Sequence, residues 1–145
     1  MLRDGLRSQR VTAAGALVAV VAVLSGCGST HTLSADQQHA HRIQAFAYLP
    51  STQVRCAGPT CRLAARTRLH SEREAFLIAW PLLFGAVKDP SLDPLKTVTL
   101  ELSDPKTGAT LSLRCERRRA RSIPDGQTSV VAVQKRCAWS WRAGY

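Results

Sequence analysis

Cysteine and arginine are the residues of this 145-residue chain whose chemistry is most specific. The five cysteines are Cys27, Cys56, Cys61, Cys115 and Cys137. A thiol can be acylated, oxidised to a disulfide or bound to a metal, and position in the chain separates these fates. Cys27 follows an apolar stretch, whereas the other four are spread through the rest of the chain. An even set in an exported chain reads as two disulfides, for which four cysteines allow three connectivities. Zinc is the alternative, but only Cys56 and Cys61 come near the spacing of its usual ligand pairs. No metal or other cofactor is expected.

Arg114, Arg117, Arg118, Arg119 and Arg121 crowd one short segment. A guanidinium presents a planar fork of donors that matches phosphate and carboxylate, so this run is a candidate anion-binding patch. The competing reading is a solvated basic edge that keeps a strand from pairing with other chains.

For catalysis the sequence offers little. There is no G-x-S-x-G elbow and no glycine-rich phosphate loop. His70-Ser71-Glu72 fits a helix cap better than a triad. Glu101 and Glu116 fall on the presumed outer face of strands, and His39 and His41 point to different sides of a presumed helix. No catalytic residue is assigned. An envelope enzyme lacking any recognisable motif is the rival to a binding module.

The N-terminus carries an address. Arg3, Arg7 and Arg10 form a basic flank, and Val11 to Leu24 is an uncharged stretch rich in Ala and Val. A positive flank, a short apolar core and small residues beyond it have the anatomy of a signal peptide. The core is shorter than the roughly 20 residues that a comfortable transmembrane helix needs. Leu24-Ser25-Gly26-Cys27 resembles the lipobox of bacterial lipoproteins. The resemblance implies diacylglyceryl transfer to the Cys27 thiol and cleavage between Gly26 and Cys27. Leu24, Ser25 and Gly26 would then be the residues that the signal peptidase recognises. It also implies a protein anchored by lipid at the cell membrane, facing its extracytoplasmic side, and it says nothing about the fold that follows.

Twenty Lys and Arg stand against ten Asp and Glu, a formal net charge of +10. Such a balance suits anionic neighbours, of which phospholipid headgroups and cell-wall polymers are expected and nucleic acid, outside the cytoplasm, is not. Solubility alone would also account for it.

The elements that must position these residues follow from periodicity. Residues 1–26 are assigned to the signal peptide, 27–33 to a lipidated tether, and 34–145 to one domain. Ser34 to Leu49 is predicted as a helix with Ala40, Ile43 and Ala47 on one face and Phe46 beside them, ended by Pro50. Thr52 to Cys56 and Cys61 to Leu69 read as a hairpin around Gly58-Pro59. Arg55, Arg62, Arg66 and Arg68 take its outer positions, and a Cys56–Cys61 bridge would staple it. Ser71 and Glu74 mark a capping box, opening an apolar helix over 75–87 that Pro81 should kink or split.

Val98 to Leu102, then Ala109 to Glu116, alternate as strands about the turn Asp104–Gly108. After a turn at Pro124-Asp125-Gly126, a third strand is predicted from Ser129 to about Trp141. Parity places Cys115 and Cys137 on the same apolar side, opposite each other in a register centred near Gly126. Lys135 is the residue that breaks that side. Trp139 and Trp141 share it, and core packing there outweighs a sugar-stacking role.

The expectation is an α+β domain in which a small antiparallel sheet, a hairpin plus a three-strand meander, packs on one or two helices. Its expected role is that of a non-catalytic binding or interaction module, its partner a protein or an anionic envelope component.

Overall fold

In the computed structural model, residues 32–124 and 130–145 are described. The stretches read as a signal peptide and lipobox, Cys27 and most of the expected tether, Ser129 and the turn expected at Asp125-Gly126 therefore lie outside the described residues. Residues Leu33–Tyr145 form a compact unit. In chain order it contains α1 (Ala35–Phe46), β1 (Gln53–Ala57), β2 (Thr60–Arg66), α2 (Glu72–Lys88), a 3-10 turn (Pro90–Leu92), β3 (Thr97–Ser103), β4 (Thr110–Glu116), a short α3 (Arg117–Ala120), α4 (Val130–Arg136) and β5 (Cys137–Arg142). This is an α+β fold. Among the described residues, no helix is long and apolar enough to cross a membrane.

The sheet order is β1-β2-β3-β4-β5. Three of the four junctions are antiparallel, as periodicity suggests, but β2 and β3 run parallel. The reason lies in the connection. Parallel neighbours cannot be joined by a tight turn and need a crossover, which α2 supplies. Gly58, with φ +54°, stands at the first of two central positions in the β1–β2 turn, the position that a II′ hairpin reserves for glycine.

Period-2 alternation puts one side of β2, β3 and β4 into the core. At the edges Val54, Cys56 and Trp141 are half-buried and Trp139 is 40% exposed, against the expectation that it packs in the core. Three ranks cross the sheet in register: Cys61, Val98, Cys115 and Cys137; Leu63, Leu100, Leu113 and Trp139; Ala65, Leu102, Leu111 and Trp141. Helix α2 covers them, burying Phe76, Trp80, Leu82, Leu83 and Val87. Ile43 of α1 and Val133 of α4 complete the core. At about 25 cal/mol per Å² of apolar surface, each large side chain buried here contributes about 2 kcal/mol before chain entropy is counted.

Several local expectations need revision. Helix α1 ends at Phe46 rather than Leu49, and its Ser34 and Gln37 form a full capping box. At α2 the serine half of the cap is present, Ser71 accepting from the Glu74 amide, but Glu74 reaches past Ser71 to the amide and ring of His70. Pro81 neither splits α2 nor ends it. The proline lies on the exposed side, so the Leu77 carbonyl that loses its donor faces water, and the Tyr48 hydroxyl donates to the neighbouring Ile78 carbonyl at 2.9 Å.

The largest revision concerns the third predicted strand. Residues 130–136 are helix, and only Cys137–Arg142 pair with β4. Val133 is buried while Val131 and Lys135 are exposed, so the apparent alternation there is a short helix seen at the wrong period. That also removes the difficulty of a lysine on the inner side.

Candidate functional site

The described cysteines are all paired. Cys56 bonds to Cys61 and Cys115 to Cys137, with Cα atoms 4.1 and 4.5 Å apart. Both bridges join directly opposed residues, and both lie in the same rank, separated by Val98 of β3. Each edge strand is thus tied covalently to its inner neighbour at one level of the sheet.

The arginine run divides four ways. Arg117 is buried at 3% exposure. Its guanidinium donates to the carbonyls of Ala86 (2.9 Å), Asp89 (2.7 Å), Leu95 (3.1 Å) and Leu92. These acceptors belong to the end of α2 and the turn beyond it, where helix carbonyls lack internal partners and a cation is favoured. Burial pulls the Arg117 pKa down, the positive charge of Arg121 adds to this, and Asp93 and Asp89 oppose it. Arg121 ion-pairs with Asp93 and donates to Val87 O. Arg118 and Arg119 are exposed on α3, which packs against β4, α2 and α4. Arg114 stands on the far side of the sheet. The five residues are therefore not gathered into one surface, and Arg117 holds the fold together.

What gathers instead is the outer side of the sheet. Helices cover only the inner side, so the alternate residues of every strand face solvent. In register across the sheet, one outer rank reads Arg55, Arg62, Thr99, Arg114, Ala138, and the next reads Gln53, Ala64, Glu101, Ser112, Ser140. Arg66 and Arg142 lie in a further outer rank, and Glu116 lies beyond the first. Five arginines on this face are opposed by two carboxylates, Glu101 and Glu116.

These ranks enclose a shallow depression of about 740 Å³. Its floor is short: Ala64, Thr99, Ser112, Ala138 and Ser140. Arg55, Arg62 and Arg114 line it with Glu101 and Gln53. Among the described residues, none of these three arginines has a side-chain hydrogen bond or an ion pair. On the helical side Arg73, Arg118 and Arg119 are likewise exposed and without a side-chain partner among the described residues. Arg42, Arg117, Arg121 and Arg136, by contrast, are all engaged there, with Ser91, backbone carbonyls, Asp93 and Ser122 respectively.

The remaining candidates stay apart. Glu101 and Glu116 both face outward, but the register places Glu116 four residues along β4 from Ser112, the partner of Glu101, roughly 13 Å away at the rise of a strand. His70 meets Glu74 in an exposed pair that serves the α2 cap. Trp139 and Trp141 are on the helical side, where Trp139 makes an edge contact with Phe76 at 5.3 Å. Among the described residues, no three His, Cys, Asp or Glu side chains gather as a metal site would require.

Asp104, a residue that periodicity marks only as part of a turn, is buried. Its carboxylate accepts from the amides of Leu69 (3.1 Å), Lys106 (2.8 Å) and Thr107 (3.4 Å). The Leu69 amide above all, with those of Lys106 and Thr107, holds its pKa down at about 2. It ties the β3–β4 turn to the loop after β2. No protein-family model, curated protein or solved structure matches the chain.

Proposed function

We propose that the chain is the precursor of a lipoprotein, anchored by diacylglyceryl on Cys27 at the extracytoplasmic side of the cell membrane, and that its folded part is a non-catalytic binding module. The observation that carries the anchoring is Leu24-Ser25-Gly26-Cys27 directly behind a signal-peptide-like apolar core. The disulfides support it in two ways. They suit an oxidising compartment, and they use the four other cysteines in pairs, so Cys27 is not required for a disulfide.

The binding reading draws on the open sheet face. It is a wide, shallow, charged surface backed by a disulfide-tied scaffold, and among the described residues no hydrogen bond joins a hydroxyl to a carboxylate in the depression. The direct test is labelling of cells expressing the protein or its Cys27→Ser variant with a tagged fatty acid, beside fractionation of the parent. The parent is expected in the membrane fraction, released by detergent and not by high salt, and carrying the tag, while the variant is expected without it. Labelling of the variant equal to the parent, or no labelling of the parent, would sink the anchoring.

A further inference from the structure

We propose that the open face of the sheet, along the rank of Arg55, Arg62 and Arg114, is a binding site for an acidic polysaccharide chain of the cell envelope. The proposal deepens the reading of the protein as a binding module and rests on it for where such a chain is met.

Charge and availability come first. The three guanidiniums have no partner among the described residues, while Arg42, Arg117, Arg121 and Arg136 are held by hydroxyls, carbonyls or a carboxylate. Their spacing is set by the sheet. Arg55 and Arg62 are neighbours, and Arg62 and Arg114 are two strands apart, roughly 10 Å at ordinary strand separation. That distance lets successive acidic groups of one chain be held at once, each by a planar fork. The next residue along from each arginine is a cysteine: Cys56 follows Arg55, Cys61 precedes Arg62 and Cys115 follows Arg114. Both bridges fix the strand positions from which the guanidiniums project, so little ordering of the backbone is left to binding.

The floor then selects among polyanions. Thr99, Ser112, Ser140 and Gln53 offer hydroxyls and an amide, and Glu101 can accept from sugar hydroxyls. Nucleic acid is served poorly. The outer ranks carry no aromatic side chain for bases to stack on, so base stacking is confined to Trp139 at the edge of the depression. A bilayer is also a poor fit, because a plane meets the rim of a depression and not its floor. A protein partner would find no large apolar side chain in the outer ranks to anchor on, only Trp139 at the edge. A sugar chain of a few rings fits the width of the face and its chemistry together.

The test uses the full chain, oxidised, in neutral detergent micelles, titrated with a fluorescently labelled oligogalacturonate at low salt. Expected are binding at least about tenfold tighter than to a neutral maltooligosaccharide of equal length, and weakening as salt shortens the Debye length from about 10 Å at 0.1 M to about 3 Å at 1 M. Arg62→Ser/Arg114→Ser should lose at least about tenfold in affinity, each charged hydrogen bond being among the stronger ones. Arg118→Ser/Arg119→Ser, an equal charge change on α3, should lose no more than about twofold.

The proposal is overturned by no binding at low salt, by equal loss in the two double variants, or by equal binding of the neutral sugar. It is overturned equally if phosphatidylglycerol added to the micelles, or an oligothymidylate, displaces the labelled sugar at a lower concentration of charge than unlabelled oligogalacturonate does. Acylation of Cys27 plays no part in these measurements, so the anchoring and the sugar site fail separately.

Discussion

Arg55 stands directly opposite Arg62 across β1 and β2, one residue along from the bridge between Cys56 and Cys61. Like charges facing each other across strands oppose pairing. The disulfide offsets this by limiting how far β1 can separate. On the chain-entropy model, a bridge with a sequence separation of 5 contributes about 2 kcal/mol and one of 22 about 3 kcal/mol. Cys115→Ser/Cys137→Ser should therefore cost more in urea unfolding than Cys56→Ser/Cys61→Ser. In the latter variant alone, added salt should recover part of the loss by screening the arginine pair. An identical salt response in both variants would contradict the assignment of strain to Arg55 and Arg62.

Arg117 makes a second prediction, about stability rather than binding. Four carbonyls between Ala86 and Leu95 converge on one buried guanidinium. Lysine keeps the charge but gathers its donors on one nitrogen, which cannot reach acceptors spread around a planar fork. Arg117→Lys should lower stability by about 3 kcal/mol, and Arg117→Met by more, since buried acceptors are left without donors. Urea midpoints check this. A loss below about 1 kcal/mol for Arg117→Met would show that the carbonyls find other partners.

Acid sensitivity is expected from Asp104. Its folded-state pKa of about 2 lies below the unfolded value of about 3.9. The stabilisation it gives is therefore complete above the unfolded value and lost as pH falls toward the folded one. Asp89, whose pKa is lowered first by the Ser91 hydroxyl and then by the Ser91 amide, Arg42 and Arg117, adds to the same limb. Asp104→Asn should lower the urea midpoint at about pH 5 and flatten its fall between about pH 4 and 2. Parallel curves for variant and parent would contradict the role given to the Leu69 amide.

Much of the fold was legible because its strands alternate cleanly. Leu63 and Ala65, Val98 to Leu102, and Leu111 to Cys115 declare their inner side, and the same parity opposed Cys115 to Cys137 across a turn that lies outside the described residues. Residues 130–136 were not legible as helix, since a stretch of valines alternates at either period. The parallel β2–β3 junction was not legible either, because sheet order depends on how α2 crosses over rather than on any local pattern.

That junction matters for the site. Local alternation marks Arg55 and Arg62 as outward-facing, and Arg114 likewise, but only the sheet order puts them in one rank with Thr99 between. Proximity in sequence pointed instead to the run 114–121. There the physical need was different: the end of α2 had carbonyls to satisfy, and Arg117 and Arg121 turned inward to meet them.

The anchoring of the chain is tested most directly by intact-mass analysis of the protein extracted from membranes of cells that express it. Diacylglyceryl transfer to Cys27, followed by cleavage between Gly26 and Cys27, predicts a chain beginning at Cys27, carrying at least the mass of a diacylglyceryl group, with Cys56, Cys61, Cys115 and Cys137 oxidised. Recovery of the chain with Met1 retained and the Cys27 thiol unmodified would contradict it.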